Sequence, residues 1–396
     1  MSIIRSGKAV LPRPVWSSRT KYGWVRVVGS ARDIDPAVWQ QVALNQLKDW
    51  RFHEIVEQAL NDQFDQHYLL LQNALTGAVA TQPIFCRNQD LTAGLPAQFR
   101  SKIEAIRRHW PRAFYMKMLM VGSPAAEGYL DCTEPWALEA LRLAIEAYAR
   151  ETGCQLIVLK DLPACYRIKL GDFVRNGYQR VPGLPALELE LNFASFEDYL
   201  VTRLSRVYRK NLRRKFRSLQ NEEPIGFSWI QEPTSQIIDE YFRLYWAVYE
   251  RAKFTFEVLN RDYLLRLAEE IPDKIRLFLW RQQDQVIAFS MCLVHDGILE
   301  ELYVGFDYQV AGRLHLYFVT WRDVITWCLE NEIRLYRSGP LNYDPKLHLR
   351  MRLAPQDLYA RHISPVLNRP LMLGMNYLGP TRFEPLLKRF SNAHEL

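Results

Sequence analysis

The stretch YVGFDYQVAGRLHLYF, residues 303–318, changes character in its middle. Upstream it completes a strand-like run, ILEELYVGFD (298–307). Downstream it opens a helical pattern from about Gly312 to Asn331, with Leu316, Val319, Val324 and Leu329 at the apolar positions. Between the two lies a turn, Gln309, Val310, Ala311, Gly312, Arg313 and Leu314, with His315 in the first turn of the expected helix. A helix that starts this way presents free N–H groups and a positive dipole end, a setting suited to phosphate. Glycine lets a ligand come close to the backbone. EIRLYRSGPL (332–341) reads as the next strand.

Working outward, KIRLFLWRQ (274–282) and QVIAFSMCLVHDG (285–297) read as a hairpin across Gln283 and Asp284. Helical spacing precedes them over 235–252 and 260–270. The first half carries the same order. A helical stretch over 36–60 is followed by three strands, HYLLLQN (67–73), LTGAVATQPIF (75–85) and FYMKMLMVGSP (114–124). A helix then starts from a Thr133 cap with Pro135 in its first turn, its apolar stripe being Leu138, Leu141, Ile145 and Tyr148. It ends near Gly153, before the buried strand CQLIVLKDL (154–162). Each series closes on a strand-like segment, NGYQRVPGLPALELEL (176–191) and APQDLYARHIS (354–364). The pattern predicts an internal duplication of an α/β unit. The expected division is a lead segment over 1–35, a first unit over 36–193, a second over 194–365 and a tail over 366–396.

A chain of 396 residues exceeds what one core holds, which agrees with two domains. With 48% apolar and 24% charged residues it is neither disordered nor fibrous. The net charge of +7 is local, because YRKNLRRKFR (208–217) supplies six basic residues and no acid. That favours one anionic partner site over a generally cationic surface. Leu200, Leu204, Val207 or Tyr208, Leu212, Phe216 and Leu219 form one apolar stripe through this region, so it reads as a helix docked on a core. Ser195 and Asp198 give a capping-box-like start, and Arg213 and Arg214 are the expected anion contacts. The six cysteines form no CxxC pair and no metal-ligand spacing, so reduced thiols, no metal and a cytoplasmic setting are expected. No run approaches the length of a membrane span.

In this order of elements the chain resembles the GNAT acyltransferase core. As a whole it resembles tandem-GNAT proteins of the FemAB-like kind. The basic helix 205–219, the strand and turn of 303–318, and RLYRSGPLNYDPKLHLRM (334–351) carry the resemblance, over roughly residues 40–365. It implies an α/β (α+β) fold of two GNAT-like units, each a mixed sheet flanked by helices. It also implies an N-acyltransferase: acyl-CoA, or the phosphopantetheine of an acyl-carrier protein, gives its acyl group to an amine by direct attack in a ternary complex. The acceptor would be a small metabolite, an amino sugar or a lipid precursor.

The family's donor loop is written Q/R-x-x-G-x-G/A. Gln309, Val310, Ala311, Gly312 and Arg313 fit it, while Leu314 replaces the final small residue and is expected to narrow the approach. GSPAAEG (122–128) in the first unit lacks the leading Gln or Arg, so that unit is expected to be structural. Glu300 and Glu301 stand where several such enzymes carry a general base. Strand alternation sends one to each face, and the reading favours Glu300. Tyr303 and Tyr343 are the candidate acids, and Lys346 the candidate anion holder. Against these stand blander readings: an edge carboxylate pair, packed aromatics, a solvated lysine, and satisfied histidines at His315 and His348. Two further functions stay open, a Fem-type transferase fed by aminoacyl-tRNA and a decayed tandem scaffold. The absence of coiled-coil heptads in 208–260 favours the acyl donor.

Overall fold

The computed structural model describes residues 14–42, 47–92, 100–251, 256–375 and 379–396. They fall into two compact units. One holds the chain up to Val181 and again from Asp357 to the helix ending at Met375. The other holds Pro182–Gln356 and the last residues to Leu396.

The first unit is built on a sheet ordered β1(Trp16–Thr20), β2(Gly23–Val28), β3(Asp65–Gln72), β4(Val79–Asp90), β5(Tyr115–Val121), β6(Leu156–Pro163), β15(Gln356–His362) and β7(Gln179–Pro182). Its helices are α1(Pro36–Val42), α2(Trp50–Ala59), α3(Arg100–His109), α4(Pro135–Glu151), α5(Gly171–Arg175) and α12(Pro365–Met375). Strands β3, β4 and β5 run antiparallel, and β6 lies parallel to β5 after the crossover through α4. The stripe Leu138, Leu141, Ile145 and Tyr148 is what α4 buries, against Leu119, Val121, Ile157 and Leu159. Glu134, not Thr133, is the N-cap of α4, and Pro135 fills the first helical position. Gly153, at φ 69°, accepts the left-handed turn that ends the helix.

The second unit repeats this plan. Its sheet is ordered β14(Arg352–Ala354), β8(Ala186–Glu190), β13(Leu335–Ser338), β12(Ile298–Phe306), β11(Gln285–His295), β10(Ile275–Gln282) and β9(Gly226–Ile230). Its helices are α6(Phe196–Arg203), α7(Arg206–Ser218), α8(Ser235–Tyr249), α9(Arg261–Glu270), α10(Leu316–Glu330), α11(Tyr343–His348) and α13(Pro380–Phe383). Strands β10, β11 and β12 are antiparallel, and β13 is parallel to β12 after α10. Gln283 and Asp284 both take positive φ, as a two-residue hairpin turn requires. Leu299, Leu316, Val319, Val324 and Leu212 share one core. Burial of each such side chain contributes about 2 kcal/mol.

The units are not the consecutive halves expected. Residues 16–28, expected in a lead segment, form two strands of the first sheet. The run 176–191 is two strands that part at Gly183–Pro185, β7 staying in the first sheet and β8 joining the second. There β8 alternates buried Leu187 and Leu189 with Glu188 and Glu190 against β13. In return β15 joins the first sheet. The expected tail contributes α12 to the first unit and buries Leu387 and Phe390 in the second unit's core. Among the described residues no helix is long and apolar enough to cross a membrane. No group of three or more His, Cys, Asp and Glu among them is placed to hold a metal ion.

Candidate active site

Strands β12 and β13 pair only from Ile298 and Leu335 to Glu301 and Ser338. Beyond that point β13 has ended, while β12 continues to Phe306 held by β11 alone. The register against β11 shifts where Met291 faces Tyr303 and Cys292 faces Glu301, leaving Leu302 as an extra residue. Such a bulge bends the strand and strengthens its twist. Two parallel neighbours therefore part, and the β13 side of residues 302–306 is left open. Gly305 permits close packing on the other side: a Cβ there would lie 2.4 Å from the Phe289 ring and 2.9 Å from the backbone of Leu244 on α8.

At the end of β12 the chain makes a tight turn. Asp307 organises it: its carbonyl accepts from Val310 N–H (3.2 Å) and Ala311 N–H (2.8 Å), and its Oδ1 accepts from Gln309 N–H (3.0 Å). The helix begins at Leu316 and not at Gly312. His315 is its N-cap residue, left-handed at φ 50°, with no side-chain cap. Among the described residues the N–H groups of Gly312 and Arg313 donate to no protein acceptor, and the space beside Gly312 is open. Leu314 does not narrow that space, because its side chain is wholly buried in the core, with Val310 and Ala311 packed against the same cluster. Gln309 is exposed, and Arg313 is paired with Glu222.

The basic helix α7 reaches this turn. Burial, then Lys215 and Arg214, pull the His315 imidazole below its ordinary pKa. The Lys215 ammonium lies 4.7 Å over the Phe318 ring. Lys215 thus brings this part of α7 to the first turn of α10, and Arg213 is engaged by Glu197. On the other flank, a recess of about 310 Å³ runs along α8 and residues 307–309. Arg243 and Arg251 line it, the latter 4.1 Å over the Tyr308 ring.

The two carboxylates separate as strand alternation requires. Glu301 lies on the α10 side, where its oxygens accept from Ser290 Oγ (3.0 Å) and Ser338 Oγ (3.1 Å). Burial, then this carboxylate, push the phenols of Tyr317 and Tyr336 above their usual range. Lys346 sits on the same side at the opening. Its Nζ donates to Gly339 O (2.8 Å) and Leu341 O (3.1 Å), and burial lowers its pKa to about 8 against the opposing pull of Glu301. Glu300 is on the opposite face, that of α9, where its charge reaches Tyr263. Tyr303 is there too, its hydroxyl 3.2 Å from that of Tyr263 and its pKa well above the phenol value through burial and then Tyr263.

Tyr343 is not gathered with these groups. It is buried, donates to Pro185 O (2.8 Å), and lies edge-on to Phe390, as a packed aromatic does. His348 stacks on Tyr208 with ring centroids 5.1 Å apart. Ser290, Ser338 and Tyr263 were not anticipated. A signal for Ser290 stood in the sequence, as a lone hydroxyl in the apolar run AFSMCLV (288–294).

Comparison with known proteins agrees with this geometry. Residues 206–346 match the acetyltransferase (GNAT) domain family. These residues lie within the second unit. The whole chain resembles the crystal structure of FemX, with a TM-score of 0.55 at 10% identity over 86% of this chain and 97% of that one. It also resembles L-PGS from Bacillus licheniformis, with a TM-score of 0.51 at 13% identity over 85% of this chain and 96% of that one. A tandem GNAT protein from the clavulanic acid biosynthesis pathway aligns over 86% of this chain and 99% of its own, at 10% identity and a TM-score of 0.49. A search of curated proteins gives no match. The acetyltransferase (GNAT) match thus lies within the second unit, and the whole chain has a fold like that of FemX.

Proposed function

We propose that this protein transfers an acyl group from a phosphopantetheine thioester, as in acyl-CoA, to an amine, at a single centre in its second unit. The observation that carries the reading is the opening between β12 and β13, which leads to a turn with two unengaged N–H groups. The pantetheine arm lies along residues 302–306 and forms strand-like hydrogen bonds with that open edge. The pyrophosphate meets the N–H groups of Gly312 and Arg313, with Arg214, Lys215 and His315 beside them. Gln309 borders the same turn.

The thioester then sits at the fork, between the faces of Glu300 and Lys346. The acceptor amine enters on the α8–α9 face, and Glu300 takes its proton, directly or through a water. Lys346 is cationic below about pH 8 and stabilises the charge that develops on the thioester oxygen or leaving sulfur. Glu301, tied to two serine hydroxyls, keeps that cation charged and is a positioning residue. Tyr303 bonds Tyr263 and shapes the acceptor face. Tyr343 holds the loop before β8. Arg243 and Arg251 suit a carboxylate or phosphate on the acceptor. As the amide C–N bond forms and the C–S bond breaks, Lys346 gives a proton to the departing sulfur and is recharged from solvent, while the proton held by Glu300 returns to water.

A Fem-type aminoacyl donor is the second reading, favoured by the cations of α7, and its phosphate contacts would weaken steeply with salt. The test is a titration with acetyl-CoA and longer acyl-CoAs, followed by an amine panel with release of free thiol as readout. A donor at about a hundredfold its Kd should add about 2.7 kcal/mol of stability. If no acyl-CoA raised the melting temperature, protected 309–316 or released thiol, the reading would be abandoned.

A further inference from the structure

The outer face of α7 is a continuous row of cations. Arg206, Lys210, Arg214 and Arg217 are all exposed, and they follow one another at steps of four, four and three, which places them on one side of the helix. Among the described residues none of the four has a carboxylate partner. Arg213, beside them, is already paired with Glu197. The opposite side of the helix is the one that docks, through Leu212, Tyr208 and Phe216. At 1.5 Å per residue the row spans about 16 Å. Lys215, next to Arg214 in the chain, lies 4.7 Å over the Phe318 ring, which puts this part of the helix beside the first turn of α10.

Such a row has no internal purpose. Like charges at these steps repel and weaken the helix. It also exceeds the needs of one donor's pyrophosphate, because Arg206 and Lys210 lie one to two turns further along the helix from Arg214. One apolar side chain stands beside it on the same helix: Val207, 81% exposed. A phosphate backbone makes no use of an exposed valine. A protein helix with acids at matching steps and an apolar residue between them covers both features.

We propose that the Arg206–Lys210–Arg214–Arg217 row of α7 docks an acidic helix of an acyl-carrier protein, which delivers its phosphopantetheine arm past His315 into the β12–β13 opening. This rests on the function proposed above and names the macromolecule that presents the donor. Docking along the row leads the arm to the donor turn, and the carrier's phosphodiester takes the place of the CoA pyrophosphate at Gly312 and Arg313.

The experiment uses the full chain with octanoyl-loaded acyl-carrier protein, acetyl-CoA and bulk tRNA as three separate probes. Carrier binding should be saturable, and it should weaken as salt is raised from about 0.05 to about 0.5 M. Arg206→Glu with Lys210→Glu should weaken carrier binding by about tenfold or more, while the KM for acetyl-CoA stays unchanged. Val207→Asp should weaken carrier binding alone. These sites are exposed, so thermal melting should be unaltered; if the double variant melts early, Arg206→Glu alone serves. The docking proposal is overturned if the carrier does not bind, if the double variant binds it as the parent does, or if tRNA binds through the row in its place. Acetyl-CoA turnover that persists under those outcomes leaves the donor assignment standing. Loss of every thioester activity removes the donor assignment itself.

Discussion

The two units make the same crossover and end it differently. In the second, β12 runs past its last pair with β13, and a tight turn over 307–315 leaves the fork open. In the first, β5 stops at Val121, its last pair with β6, and the longer segment 122–134 folds back over the end of β6. Gly128 N–H donates to Asp161 O (3.1 Å), and Lys160 Nζ donates to Ala126 O (2.9 Å). Ser123, Ala125, Tyr129, Leu130 and Asp131 are buried there. A side chain at Gly128 would start 1.7 Å from the Lys160 carbonyl oxygen. The first fork is thus filled by its own chain. One fold offers a channel or a plug according to the length and path of the segment that leaves a single strand.

The strongest way to break this contrast is at the chemistry. Glu300→Gln and Lys346→Met should each lower kcat by about 10²-fold or more, whereas Ser123→Ala in the first unit should leave steady-state kinetics unchanged. An equal loss from the first-unit variant would place chemistry in both units. The glycines come next. Gly128→Ala forces backbone apart and should destabilise by about 3 kcal/mol in denaturant titration. Gly312→Ala faces open space and should stay within about 0.5 kcal/mol of the parent, while raising the KM for acyl-CoA.

The pH profile sharpens the comparison further. Lys346 titrates near 8 when folded against an ordinary value of 10.5. Between those values the unfolded chain binds the extra proton, so stability should rise as pH is raised across that window. Over the same rise turnover should fall, because the cation is lost. Lys346→Met should flatten that part of the stability curve. Smallest of all, Tyr343→Phe should cost about 1 kcal/mol for its bond to Pro185 O and leave kcat intact.

Much of this was legible in the residues. Periodicity marked β10, β11, β12 and α10, and the repeat of that order exposed the duplication. The alternation of Glu300 and Glu301 told that they part, and the apolar stripe of α7 told that the helix docks. Three things were not legible. ALELE (186–190) and QDLYARH (356–362) both look like strands, and periodicity carries no information about which sheet they enter. Leu314 looked like an obstacle because the turn's path, which points it inward, is set by the bonds to Asp307. Tyr343 looked like a free acid because its acceptor, Pro185 O, is remote in sequence.

The exchange of β8 and β15 bears on how the chain is made. In the first sheet β15 lies between β6 and β7, and it ends at His362. While the chain leaves the ribosome, the first unit waits with a gap in its sheet until nearly all of the second unit has been synthesised. Domains usually fold in the order of their synthesis. Here the first unit cannot be completed until β15 has emerged, so expression of residues 1–193 alone should yield an aggregating product with β6 unpaired on one edge.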